Sequence, residues 1–261
     1  MVSLKVHKDF QNVRYLPFCY LCGRELQDGE VKDGDHVPPK AAFNARDREP
    51  ALKLQTHRAC NGAFSVEDKK VAQLIALRRW EGPSSARDTA LKFARYPGIG
   101  IGIMNLNVDD AVWRWIRGFH AALYRQPLIT ELRAIVTPLP RSTLQYGVAK
   151  VHPLRPQHAL AVSVVKHNRV AGSLDQIVAN NRQLRYECAW CESDKGAQWF
   201  CMFALDIYDW KDLGSHTGEI PARGCTGIYA LPDYSRPETA TIGTRPPDGT
   251  TEGDPLDAFG R

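Results

Sequence analysis

Cys19-Tyr20-Leu21-Cys22-Gly23 and His57-Arg58-Ala59-Cys60-Asn61 bracket the stretch Asp35-His36-Val37-Pro38-Pro39-Lys40. A Cys-x-x-Cys and a His-x-x-Cys supply three sulfurs and one imidazole, the donor set of a closed tetrahedral zinc site. Cys19, Cys22, His57 and Cys60 are therefore read as structural zinc ligands. Gly23 lets the backbone turn tightly after the second thiol, bringing amides toward the sulfurs. Between the two pairs, an adjacent carboxylate and imidazole place a metal ligand beside a general base. Pro38-Pro39 stiffens the exit from His36. Asn61 follows the last ligand directly, so the zinc would fix where its amide oxygen points. Asp35 and Asn61 both offer hard oxygens, a pair suited to Mg²⁺ or Mn²⁺ with water and a phosphate oxygen completing the shell.

These residues resemble the H-N-H endonucleases, and among them the zinc-knuckle branch, over about residues 17–68. The elements of the resemblance are the Cys19/Cys22 pair, Asp35-His36-Val37-Pro38-Pro39, and His57/Cys60-Asn61. The resemblance implies a ββα-metal fold, His36 as general base, Asp35 and Asn61 as holders of the catalytic Mg²⁺ or Mn²⁺, and double-stranded DNA as substrate. It also implies, by family analogy alone, a host-defence or mobile-element role. The family's middle Asn, which braces the loop bearing the base, should fall near Leu52; Asn44 or backbone contacts would brace the loop in its place. Asn61 stands where other members carry His. An RNA-directed nuclease would use the same residues. A zinc-stabilised module that binds nucleic acid or protein without cutting would need only the four zinc ligands.

Other residues have two readings each. Asp68 is either the N3 carboxylate of a capping box opened by Ser65 or an additional approach to the catalytic ion. Lys40, Arg46 and Arg48 either hold phosphates or are ordinary loop charge. Cys188-x-x-Cys191, with Cys225 and His216, could suggest a second zinc, but strand alternation separates the first two and favours core thiols.

The elements that must position this chemistry follow from periodicity. Residues 15–65 are poor in apolar side chains, so a metal would have to staple them. Helical spacing starts at Ser65 (Val71, Leu74, Ile75) and again at Ser85 (Ala90, Leu91, Ala94). The clearest helix runs over 108–125, with Asn107 as cap and Asp109 and Asp110 at the positive end of its dipole. Val112, Trp115, Ile116, Phe119 and Leu123 form its apolar stripe, leaving Arg114, Arg117 and Arg125 off that face. Those arginines are either a solvated face or a contact for DNA. Residues 144–151 and 158–166 read as strands, 173–181 as a short helix, and 186–190 with 198–207 as a hairpin turning at Ser193-Asp194-Lys195-Gly196.

The expected class is α+β: a metal-stapled nuclease domain (1–80), a helical then mixed α/β accessory domain (81–230) open to a protein partner, and a disordered tail (231–261). A formal charge of +5, with 43% hydrophobic and 24% charged residues, is ordinary for a globular protein and compatible with a polyanion. The N-terminal stretch lacks the apolar run of a signal peptide and no segment has the roughly 18 apolar residues of a membrane span, so no membrane partner is expected. An odd count of 7 cysteines, three of them assigned to zinc, fits a reducing, cytoplasmic setting.

Overall fold

The computed structural model describes residues 1–27, 29, 31–63, 65–78, 92–96, 100–104, 108–136, 156–193, 196–208 and 225–246. It is a mixed α+β protein built around one helix. A six-stranded mixed sheet has the order β1-β7-β8-β9-β10-β6, from β1 (Ser3–Leu4), β6 (Arg133–Val136), β7 (Asp175–Ala179), β8 (Leu184–Glu192), β9 (Trp199–Ile207) and β10 (Cys225–Tyr229). β1 lies parallel to β7, and every other pairing in this sheet is antiparallel.

Alternation along β8 and β9 sorts their side chains to two faces. Tyr186, Cys188, Trp190, Cys201 and Phe203 join the core that includes helix α4 (Val108–Tyr124), whereas Ala189, Cys191, Phe200 and Met202 pack with helix α5 (Pro156–Ala171). Cys188 and Cys191 are thus core thiols on opposite faces, as alternation requires.

The other side of α4 carries a smaller assembly. Helix α1 (His7–Asn12) leads to the Cys19–Cys22 turn, followed by strand β2 (Val31–His36), two short 3₁₀ turns (Lys40–Ala42 and Ala45–Asp47), strand β3 (Lys53–His57), helix α2 (Arg58–Gly62) and helix α3 (Ser65–Arg78). β2 and β3 pair antiparallel, with a register shift between Lys32 and Asp35. β4 (Lys92–Tyr96) and β5 (Gly100–Met104) form a separate two-stranded ribbon.

The expected stripe on α4 is buried in full, but so is nearly the whole helix. Packed between the sheet and the β2-β3 assembly, α4 has no solvated face for Arg114, which is only 4% exposed. A single core cluster takes Leu4, Tyr20, Val37, Leu54, Val71, Trp115, Phe119, Tyr186, Tyr229 and Ala240. Leu16, Tyr20, Val37, Leu52 and Leu54 belong to that shared core.

Three local expectations are corrected. The 158–166 run is helical: Leu160, Ala161, Val164 and Val165 are buried at helical spacing against the sheet. The 173–181 segment is strand β7, with strict in–out burial over Asp175–Ala179. Ala94 lies in strand β4 and not in a helix. The proposed start at 85–88, the strand at 144–151, Asn107 and His216 fall outside the described residues. The tail is also corrected in part. Residues 231–246 pack on the sheet, where Ile242 bridges Trp190 and Thr241 donates its amide to Asp175; residues 247–261 lie outside the description. The 186–207 hairpin is present as read.

Candidate functional site

The Cys19–Cys22 turn is a small knuckle shaped by backbone bonds. The Gly23 amide donates to the Cys19 carbonyl at 2.7 Å, and the Cys19 amide donates to the Arg24 carbonyl at 2.8 Å. Gly23 has φ +75°, and a Cβ there would sit 2.0 Å from Ile129 Cδ1. The left-handed conformation favours glycine here, and an added Cβ would also displace the exposed Ile129 side chain. Strand β3 ends at His57 and α2 begins immediately, which carries His57 and Cys60 to the knuckle.

The ligand atoms of Cys19, Cys22, His57 and Cys60 all lie within 4.8 Å of one another. His57 Nε2 faces the Glu25 carbonyl at 3.1 Å, while Nδ1 lies 3.4 Å from Cys22 Sγ. The tautomer in which Nε2–H donates to that carbonyl leaves the Nδ1 lone pair aimed at the sulfurs, the usual outer support of a ligating imidazole. Burial raises the cost of a Cys22 thiolate, but hydrogen bonds from Arg24, His57 and Cys60 outweigh it and bring the thiol down to about 6. Burial and the neighbouring Cys19 and Cys22 sulfurs push Cys60 up to about 12. Cys22 thus ionises readily and Cys60 does not, and a bound dication would relieve the repulsion that holds Cys60 protonated. The donor set and its geometry fit: this group can hold a metal ion such as zinc. An open cleft lined by Arg24, Glu25, Gln27 and Arg58 flanks it on the side of His57 and Cys60.

Asp35 and His36 end strand β2, opposite Leu54 and Lys53 of β3. Their environments differ. Asp35 is buried, and Tyr20 donates its hydroxyl to Asp35 Oδ2 at 2.7 Å. His36 is half-buried, and burial followed by Lys53 lowers its pKa, with Lys40 and Arg48 acting in the same sense and Glu49 against. The imidazole is therefore held neutral in a basic neighbourhood. Asn61 is buried within α2, one residue after Cys60.

The cluster behind Asp35 was not legible in the sequence. Arg114 of α4 bonds Asp68 through Nη2–Oδ2 at 2.6 Å, so Asp68 is a buried ion-pair partner. Burial opposes the guanidinium charge, but neighbouring acidic groups, among them the Asp68 and Asp35 carboxylates, more than offset this and keep it charged. Burial first, then the Asp35 carboxylate, holds the Tyr20 phenol well above its usual range, so its hydroxyl stays a donor. Residues 20, 35, 68 and 114 lie far apart along the chain, and no short motif joins them.

The loop between β2 and β3 is braced from the large sheet. Leu52, where the family's Asn was expected, is fully buried, and its carbonyl accepts from the Val37 amide at 3.0 Å. The Asn44 backbone amide donates to the Tyr208 hydroxyl at 2.7 Å, and its carbonyl accepts from the Asp47 amide at 2.9 Å. Asn181 donates to Asp47 Oδ1 at 3.2 Å, and the Asn180 amide donates to the Pro50 carbonyl at 2.7 Å. Asn180, Asn181 and Arg182 all have positive φ, a turn that asparagine tolerates better than most residues. Among the basic loop residues, Arg46 lies near Asp47 and Arg48 donates to the Phe43 carbonyl. No helix among the described residues is long and apolar enough to cross a membrane. Comparisons with protein-family models, with curated proteins and with solved structures find no match.

Proposed function

We propose that this chain is a metal-dependent endonuclease of the H-N-H type, with a ββα-metal centre that hydrolyses phosphodiester bonds of DNA. The observation that carries the reading is the chain order at the site. Antiparallel β2 and β3 run directly into α2, the Cys/His group holds the ends of this unit, and Asp35, His36 and Asn61 occupy the strand end and helix that the motif assigns to chemistry. Zinc at Cys19, Cys22, His57 and Cys60 would be structural, its four protein ligands leaving no open position.

His36 accepts the proton of an attacking water; its half-buried, lysine-flanked setting keeps it neutral and able to do so. Asp35 and Asn61 would hold Mg²⁺ or Mn²⁺, which stabilises charge on the phosphorane and on the leaving 3′-oxygen when bound. Lys40, Arg48 and Lys53, whose charges are felt at His36, favour the approach of a polyanionic backbone. One such centre cuts one strand, so a double-strand break takes two events.

The test is cleavage of supercoiled plasmid by purified protein. EDTA should abolish it, and Mg²⁺ or Mn²⁺ should restore it. His36→Ala should lower the rate by roughly 10²–10⁴-fold, the usual worth of a positioned base. Wild-type protein that binds the plasmid but never nicks it with either ion would support a binding module instead. Cleavage of RNA alone would reassign the substrate.

A further inference from the structure

The buried cluster beside Asp35 does more than fill space. Tyr20 lies inside the Cys19–Cys22 turn, is 1% exposed, and donates to Asp35 Oδ2 at 2.7 Å. A phenol is a neutral donor: it fixes the rotamer of a carboxylate without neutralising it, as a lysine would. Arg114 supplies the cation nearby, but its 2.6 Å bond goes to Asp68. Asp35 and Asp68 thus bring two carboxylates to this buried cluster, and Arg114 brings one guanidinium. Helix α4 approaches closely here as well. A Cβ on Gly118 would lie 2.6 Å from Val37 Cγ1 and 3.3 Å from Tyr20 Cε2, so the helix backbone rests on the residue after His36 and on the Tyr20 ring.

We infer that Tyr20 and Arg114 are positioning residues for the Asp35 carboxylate, through which the zinc knuckle and helix α4 both set the geometry of the cleavage site. This rests on the nuclease reading above. Neither residue touches substrate in this scheme. Tyr20 acts by orienting Asp35, and Arg114 by holding Asp68 and the local charge balance. The knuckle would then be part of the catalytic apparatus, because the same turn that offers two thiolates to zinc aims the phenol at Asp35.

The test uses the full chain with Tyr20→Phe, Arg114→Met and Arg114→Lys. Zinc content, thermal midpoint, kcat and KM on a duplex, the Mn²⁺ concentration for half-maximal cleavage, and direct Mn²⁺ binding would be measured. Tyr20→Phe keeps the ring and should keep its zinc. Its half-saturating Mn²⁺ should rise, or its kcat fall, by about 10–100-fold, the usual effect of losing an outer support of a metal ligand. KM for the duplex should stay near wild type. Arg114→Lys should recover part of what Arg114→Met loses. If Arg114→Met does not fold, Tyr20→Phe decides alone. A cleaving wild type with kcat and Mn²⁺ dependence unchanged in zinc-replete Tyr20→Phe overturns this inference and leaves the nuclease reading standing. So does a loss in every variant that only tracks lost zinc or lost fold. A wild type that binds Mn²⁺ without cutting, and binds it more weakly in Tyr20→Phe, supports the positioning role and overturns the nuclease. A wild type that binds no Mn²⁺ overturns both.

Discussion

The Cys/His group and the Asp35 cluster meet different electrostatic demands. At the knuckle, three sulfurs crowd one imidazole, and Cys60 is pushed up to about 12 by burial and by its neighbours; a bound dication would favour its thiolate. Structural zinc supplies roughly 10–16 kcal/mol of apparent binding energy in small peptides, so the knuckle should depend on it. Cys22→Ser is expected to lower zinc content well below one ion per chain by elemental analysis and to expose residues 17–60 to limited proteolysis. Full zinc retention in a Cys22→Ser, Cys60→Ser double variant would contradict the ligand assignment. This Cys/His group could be read from sequence because each pair is local: a turn or one helical step brings its two donors together. Asp68 could not be read this way. Its Ser-x-x-Asp context fits a cap equally well, and only α4, arriving some forty residues later, reveals the Arg114 partner.

Among the elements, α4 and the β7–β8 turn do most to hold the site. Gly118 is an informative position. Glycine in a helix costs about 1 kcal/mol relative to alanine, so an unconstrained site would gain from Gly118→Ala. Here the added methyl meets Val37 Cγ1 at 2.6 Å and Cγ2 at 3.1 Å. Gly118→Ala should therefore be neutral or destabilising in urea melts and should slow cleavage by displacing Val37 beside His36. A clear gain in stability with unchanged rate would show that the contact is soft. The β7–β8 turn makes a second prediction. Asn181 lies in that turn and Tyr208 just past the end of β9; Tyr208→Phe and Asn181→Ala together take two donors from Asp47, which is 3% exposed. An unsatisfied buried acceptor costs about 1–3 kcal/mol, and amide exchange should quicken over residues 40–52 more than over β8 or β9. Equal protection there in variant and wild type would refute the brace. Helix α4 and the β8–β9 hairpin were readable because long periodic segments with a turn between them carry a strong signal. The 158–166 run was not, since seven small and apolar residues fit a strand and a buried helix alike. Segment 173–181 was misread for a related reason: its in–out alternation extends only over Asp175–Ala179.

At the scale of the whole molecule, sheet, α4 and site share one core, so stability should be common to all three. The pattern in the sequence pointed instead to separate segments, because a metal-binding motif looks self-sufficient and gives no hint of the surfaces that pack on it. His120 provides a test through pH. It lies on the sheet side of α4, fully buried, with Nδ1 3.0 Å from the Tyr229 hydroxyl and Nε2 3.3 Å from the Gln126 side-chain nitrogen. Burial lowers its pKa from 6.5 to about 3. Between those values the unfolded chain binds a proton that the folded chain refuses. Stability from the neutral imidazole is therefore fully present above about pH 6.5 and declines as pH falls toward 3, by roughly 1.4 kcal/mol per unit. Urea midpoints followed from pH 7.5 to 4.5 should fall with a slope that includes this proton, on top of the carboxylate contribution at the acid end. His120→Gln keeps a polar side chain but cannot take up the proton. It should be less stable than wild type at pH 7.5 and show a shallower decline, with the two curves converging as pH drops. Because α4 also carries Arg114 and Gly118, fluorescence of the buried Trp115 and Trp190 and proteolysis of the knuckle should report the same midpoint. Parallel slopes for the two proteins would mean that His120 takes up its proton without unfolding. Separate midpoints for the knuckle and the sheet would mean that the shared core does not couple them.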